Sequence, residues 1–160
     1  MRTAVERPTP AGRLIINEAA THGCATRNEY GERADLVELH NPGGAFELEP
    51  GTWFLSDAPA DPMRYELPTG HVDPHGYLVI WCDAAATDAD QPHAGFKLHD
   101  GERLALWHLT GDALCLADSV TLLPRTPKGC TQGRSPVGPA RWCILAQPTP
   151  GRANDPGLPE

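Results

Sequence analysis

Apolar residues recur at alternate positions over short stretches, and Gly, Pro and Asn break the chain between them. That rhythm predicts strands over Arg13–Ala19, Asp35–Asn41, Phe46–Leu48, Trp53–Ser56, Tyr65–Leu67, Tyr77–Trp81, Arg103–His108, Leu114–Leu122 and Trp142–Leu145. In the second of these, alternation sets Val37 and Leu39 on one face and Leu36, Glu38 and His40 on the other. Tyr77–Trp81 is apolar throughout and is expected to be a central strand buried on both faces. Thr110-Gly111-Asp112-Ala113 reads as a hairpin turn, and Asn41-Pro42-Gly43-Gly44 and Asp73-Pro74-His75-Gly76 as breaks. No stretch carries three turns of amphipathic helix. Strand-like segments spaced about 10 to 15 residues apart predict an all-β sandwich of about eight or nine strands.

The remaining segments set the organisation. Met1–Gly12 holds two prolines and no periodicity, and reads as an N-terminal arm. Residues 13–154 form the domain and Asp155–Glu160 a tail. Thr21–Arg33 is expected to be a polar loop, Ala84–Pro92 a loop or one helical turn, and Pro124–Pro139 irregular.

Composition narrows the picture. A length of 160 residues is one domain, and 33 residues of Gly and Pro suit many short strands joined by turns. The net charge of −8 opposes binding to nucleic acid through phosphate neutralisation, so a nucleic-acid partner is not expected. Met1–Pro8 has no apolar run after its charges, so no secretory signal is expected. No stretch approaches the roughly 20 apolar residues of a membrane span. The five cysteines, at 24, 82, 115, 130 and 143, include no C-x-x-C pair. This favours free thiols in a reducing compartment, with one disulfide left open.

Several motifs stand in a fixed order: Leu14-Ile15-Ile16-Asn17-Glu18, Leu36-Val37-Glu38-Leu39-His40-Asn41-Pro42-Gly43, Trp53-Phe54-Leu55-Ser56-Asp57 and Gly76-Tyr77-Leu78-Val79-Ile80-Trp81-Cys82-Asp83. Phe96-Lys97-Leu98, Gly133-Arg134-Ser135-Pro136 and Pro148-Thr149-Pro150-Gly151-Arg152-Ala153-Asn154 complete the series. From Leu14 to Asn154 the chain resembles the lamin tail domain family. The resemblance implies an immunoglobulin-like β-sandwich and a structural or protein-interaction duty. Two features depart from the family pattern: Leu36 and His40 stand where many bacterial relatives carry an aromatic, and Val137-Gly138 replaces an Asp-Gly turn.

Candidate chemistry is sparse. If the first two strands are neighbours, Asn17, Glu18, Glu38 and Asn41 supply oxygens suited to a hard cation such as calcium. The plainer reading has the two asparagines bonding backbone at strand ends and the glutamates solvated. It is favoured, because the dense acidic spacing of a calcium loop is missing. Of the seven histidines, His71 and His75 flank a turn, and His93 and His99 flank Phe96. None lies in a metal signature, so they read as freely titrating surface groups. Cys82 and Cys143 are expected to be buried, Cys24 and Cys130 exposed in loops. Trp53 and Trp81 are expected in the core, Trp107 half-exposed, and Trp142 opens the last strand. Asp57 is expected to cap the turn after Trp53-Phe54-Leu55. Neither Ser56, Ser119 nor Ser135 sits in a nucleophile elbow, and no phosphate-binding loop is present.

The expectation is therefore a non-catalytic module with no catalytic, metal or cofactor residue assigned. It would act as a stand-alone adaptor, scaffold or assembly component that meets a protein partner or larger assembly through loops and sheet edges. Its setting would be cytoplasmic or within an assembled particle. Alternatives are a minor structural or decoration protein of a viral or viral-like particle, and a metal-binding or metal-dependent protein using surface His and Glu.

Overall fold

A computed structural model describes residues 14–21, 27–84, 91–135 and 141–154, together with the backbone of Thr3–Val5. The chain is an all-β sandwich. The described residues form thirteen strands: β1 (Thr3–Val5), β2 (Ile15–Ala20), β3 (Asp35–His40), β4 (Phe46–Leu48), β5 (Trp53–Ser56), β6 (Tyr65–Glu66), β7 (Gly70–Val72), β8 (Tyr77–Cys82), β9 (His93–Ala94), β10 (Arg103–Thr110), β11 (Ala113–Thr121), β12 (Thr131–Arg134) and β13 (Trp142–Leu145). One sheet runs β1-β11-β10-β5-β6 and the other β13-β12-β2-β3-β8-β9, while β4 and β7 form a separate two-stranded ribbon. Every pairing is antiparallel except β1 with β11 and β8 with β9.

Alternate residues from both sheets meet in one apolar interior. Ile16, Ala19, Val37, Leu39 and Ile80 come from one sheet, and Trp53, Leu55, Leu104, Leu106 and Val120 from the other. Burying each large side chain contributes about 1.5–3 kcal/mol, so this interior is the main source of cohesion. Each sheet also carries a small apolar cluster on its outer face. Ala20, Leu36 and Trp81 form one, and Phe54, Ala105, Trp107 and Leu114 the other. Trp107 is therefore buried, not half-exposed, because its outer face packs with neighbours on β5 and β11.

The hairpin between β10 and β11 closes through Gly111 and Asp112, with Thr110 and Ala113 as partners. Gly111 has φ +60°, as the first position of a type II′ turn requires. Two bulges reorient polar side chains. One lies in β2 between Ile16 and Glu18 against β3, the other between β10 and β11 at Leu106/Trp107. Past the second, Asp118 stands opposite the core residue Leu106, so its carboxylate turns inward. It accepts a 2.8 Å bond from the Ile16 amide and pairs with Arg134, whose Nε also donates to the Ile16 carbonyl at 2.8 Å. These bonds tie β11 of one sheet to β2 and β12 of the other.

Other expectations need correction. The described residues alone hold thirteen strands, more than the eight or nine expected, because short, polar or edge segments pair without an alternating apolar signature. Thr3–Val5 is a strand within the expected arm, and Thr131–Arg134 an interior strand within the stretch expected to be irregular. β8 is fully buried only over Ile80–Cys82; its first half is half-buried, since the two-residue β9 covers one flank at the far end only. Ser56, not Asp57, closes the turn after β5: its hydroxyl bonds the Ala58 and Asp61 carbonyls and accepts from the Ala58 amide. Asp57 pairs with Arg64 at 2.7 Å. Cys130 is buried where exposure was expected, Cys143 is half-buried where burial was expected, and Cys82 is sealed as expected. Cys82, Cys115, Cys130 and Cys143 form no disulfide among themselves. Cys24, the span 85–90 and the tail 155–160 lie outside the described residues.

Candidate functional site: a buried carboxylate latch

The β2 bulge creates the site. Ile16 and Ala19 both face the core, three positions apart, so Asn17 and Glu18 are displaced together onto the outer face. Glu18 stands directly opposite Glu38 of β3 on one side and Gly133 of β12 on the other. The segment 148–154 then folds over this face and shuts it from water: Glu18, Glu38 and Thr149 are fully buried, Asn17 and Asn154 nearly so.

Each carboxylate oxygen accepts a bond. Thr149 gives Glu18 its amide, at 2.9 and 3.0 Å to the two oxygens, and its hydroxyl at 2.7 Å. Thr131 adds a hydroxyl at 3.3 Å. Glu38 takes the Asn17 amide group at 2.9 Å and the Gly151 backbone N–H at 2.5 Å. Asn154 closes the set by donating to the Arg134 carbonyl at 2.7 Å and the Asn17 carbonyl at 3.1 Å. Its own oxygen accepts from Asn17 at 3.2 Å and lies 3.2 Å from the Thr149 hydroxyl oxygen. Gly133 makes the close packing feasible. A Cβ there would lie 2.5 Å from the Asn17 carbonyl oxygen, 2.9 Å from Leu145 and 3.1 Å from Asn154.

Two like charges placed opposite each other in a dry site disfavour ionisation. Burial pushes the Glu38 carboxyl up to about 7; bonds from Gly151 and Asn17 pull it back, and the neighbouring Glu18 charge adds to the rise. Burial also raises Glu18, against the donors on Thr149 and Thr131 and the charge of Arg152. The glutamates are thus not solvated. Asn41 does not join them: its side chain bonds the Gly44 and Asp73 carbonyls at 2.9 Å and accepts from the Gly43 amide, bracing the turn after β3. A cation at Glu18 and Glu38 would have to displace these donors, and among the described residues no group of three or more His, Cys, Asp or Glu side chains is arranged to hold a metal ion.

A second polar knot lies at the far end of β8. His93 on β9 is held between Glu29 and Asp83, each 2.6 Å from one ring nitrogen, with its side chain sealed from solvent. Burial lowers the tendency of the imidazole to protonate, but the bonds to Glu29 and Asp83 outweigh it and raise the pKa. Tyr30, 58 % exposed, lies with its ring centroid 6.0 Å from that of His93. Asn28 organises the loop, its side-chain oxygen accepting the Tyr30 and Glu32 amides at 3.0 Å. Beside Asp83 opens a cleft of about 390 Å³, bordered by the apolar Ala34, Cys82 and Leu98 and by the exposed Arg33, Lys97 and His99.

His93 is therefore no freely titrating surface group. His71 is exposed yet bonds Glu47 at 2.5 Å, which raises its pKa. His40 and His108 stack on their strand partners Tyr77 and Trp53, at centroid distances of 4.5 and 4.3 Å. Burial lowers the pKa of His40.

The sequence pattern placed Asn17, Glu18 and Glu38 together. It missed Thr131, Thr149, Gly151 and Asn154 as their partners. Comparison with known proteins adds no neighbour: no family model, curated protein or solved structure matches the chain.

Proposed function

We propose that this chain is a non-catalytic structural and protein-interaction module of lamin-tail type, serving as an adaptor, scaffold or assembly component. The observation that carries this reading is the latch itself. Asn17-Glu18, Glu38, Gly133-Arg134 and Thr149 to Asn154 belong to four of the seven segments on which the family resemblance rests, and they meet in one buried network. All four oxygens of its two carboxylates accept bonds from the protein's own donors. Groups occupied in this way hold the chain together and leave no acceptor facing a substrate. Short edge strands border both sheets, offering backbone to a protein partner through strand addition. No helix among the described residues is long and apolar enough to cross a membrane.

The test is affinity capture from the native cell or particle, followed by reconstitution with each recovered protein as a purified component. The expected result is one protein partner bound at fixed stoichiometry with a Kd of about micromolar or tighter. The contrary result is failure of every reconstitution, together with turnover of an ester, phosphate or glycoside probe that disappears in Glu38→Gln.

A further inference from the structure

The edge of the first sheet at β11 carries a feature of its own. β11 is nine residues long, and Thr3–Val5 pairs with only three of them, Ala113, Leu114 and Cys115. Among the described residues no other strand borders that edge. Exposed edges are normally guarded by Lys, Pro or outward charge, because their free N–H and C=O groups template pairing with another chain. The sequence of β11, Ala-Leu-Cys-Leu-Ala-Asp-Ser-Val-Thr, contains no Lys and no Pro. Its one charged residue, Asp118, is turned inward to Arg134 and the Ile16 amide. The half-buried Leu109 and Leu116 sit beside the edge and extend it with apolar surface.

We infer that Thr3–Val5 is a removable guard, and that the β11 edge beneath it is an association surface for a second copy of this chain. The occupant follows from symmetry and charge. Two identical edges pair antiparallel about a two-fold axis, so each copy supplies what the other lacks. A chain with a net charge of −8 repels its like, but this edge presents almost none of that charge. The guard is short, and a three-residue strand contributes little against the longer pairing available to two copies of β11. In the intact chain it prevails because it is tethered, at a high effective concentration that a second molecule must match. The pairing stands apart from any outside partner: a chain with no other partner exposes the same edge once Thr3–Val5 leaves it.

The test is sedimentation velocity on the full chain, on a variant lacking residues 1–12 and on Val5→Pro, which removes the backbone N–H that the register directs at the Leu114 carbonyl. Circular dichroism on each confirms native strand content. Removing or unseating the guard is expected to tighten self-association to a dimer by at least about tenfold, and more at higher ionic strength as repulsion is screened. Adding Ser119→Lys and Thr121→Lys is expected to return the truncated chain to monomer. A folded truncated chain no more associated than the full chain overturns the inference. So does a dimer that survives both lysines, which would place the contact elsewhere. If truncation abolishes the strand signal, Val5→Pro with and without the lysines is read for the same two outcomes.

Discussion

Glu18 and Glu38 are register partners on adjacent strands, and both side chains are closed off from water. Like charges directly across a strand pair destabilise a sheet unless something compensates them. Here compensation comes from the segment 148–154, which brings two backbone amides and a hydroxyl, and from raised pKa values. The latch is the point at which the end of the domain closes on its second and third strands.

Stability should therefore depend on pH in a defined direction. Glu38 titrates at about 7 when folded and near the ordinary 4.5 when unfolded. The folded state then binds a proton more tightly, so this contribution is complete below about 4.5 and is lost as pH rises through about 7. The full span corresponds to about 3 kcal/mol. Urea midpoints of the parent chain should fall between pH 5 and pH 8, and those of Glu38→Gln should change less. Equal slopes in the two proteins would show that Glu38 ionises freely.

His93 acts in the same sense through a different bond set. Its folded pKa lies above the ordinary 6.5, so its contribution is present below that value and is lost as pH rises through the folded pKa. A neutral ring has one N–H for two carboxylates. Amide exchange across 27–33 should accelerate, beyond its intrinsic pH dependence, as the ring deprotonates. In His93→Gln that excess should vanish. The same excess in both proteins would rule out His93 as its source.

Gly133 should tolerate no side chain. A Cβ placed 2.5 Å from the Asn17 carbonyl oxygen meets backbone, which cannot move aside as a flexible side chain does. Gly133→Ala is expected to cost about 3 kcal/mol, at the high end for overpacking. Gly44, whose Cβ position is open, is the control, and Gly44→Ala should cost far less. Similar losses at the two sites would mean that the close approach is absent in solution.

The latch should also behave as one unit. Thr149→Val removes a hydroxyl from beside Glu18 and Asn154, and Asn154→Ala removes the amide that donates to the Arg134 and Asn17 carbonyls. Each is expected to cost about 1–3 kcal/mol. The double variant should cost less than their sum, because the second change acts on a network already opened. Strict additivity in thermal or urea unfolding would break the network into independent bonds.

Strand positions were legible wherever burial follows simple alternation, as in Val37 and Leu39 against Leu36 and Glu38. β12 was not, because its side chains serve hydrogen bonds. Gln132 accepts from the Leu123 amide and the Trp142 indole, Thr131 bonds Glu18, and Gly133 provides space. A polar interior strand leaves no hydrophobic period to read. The β2 bulge was hidden for a related reason: the residue that resumes the core phase is Ala19, too small to mark a shift of register. That shift turns Glu18 from a solvated group into a sealed one. The ion pairs of His93 join loop residues Glu29 and Asp83 far apart in sequence, and no local spacing announces them.

The most direct measurement is native-state hydrogen exchange at the backbone amides of Thr149 and Gly151, each of which donates to a buried glutamate in a stretch with no strand of its own. If the latch closes the domain, both exchange slowly, with protection approaching that of β3 and β8. Exchange at the rate of an unstructured peptide, while β3 stays protected, would contradict it.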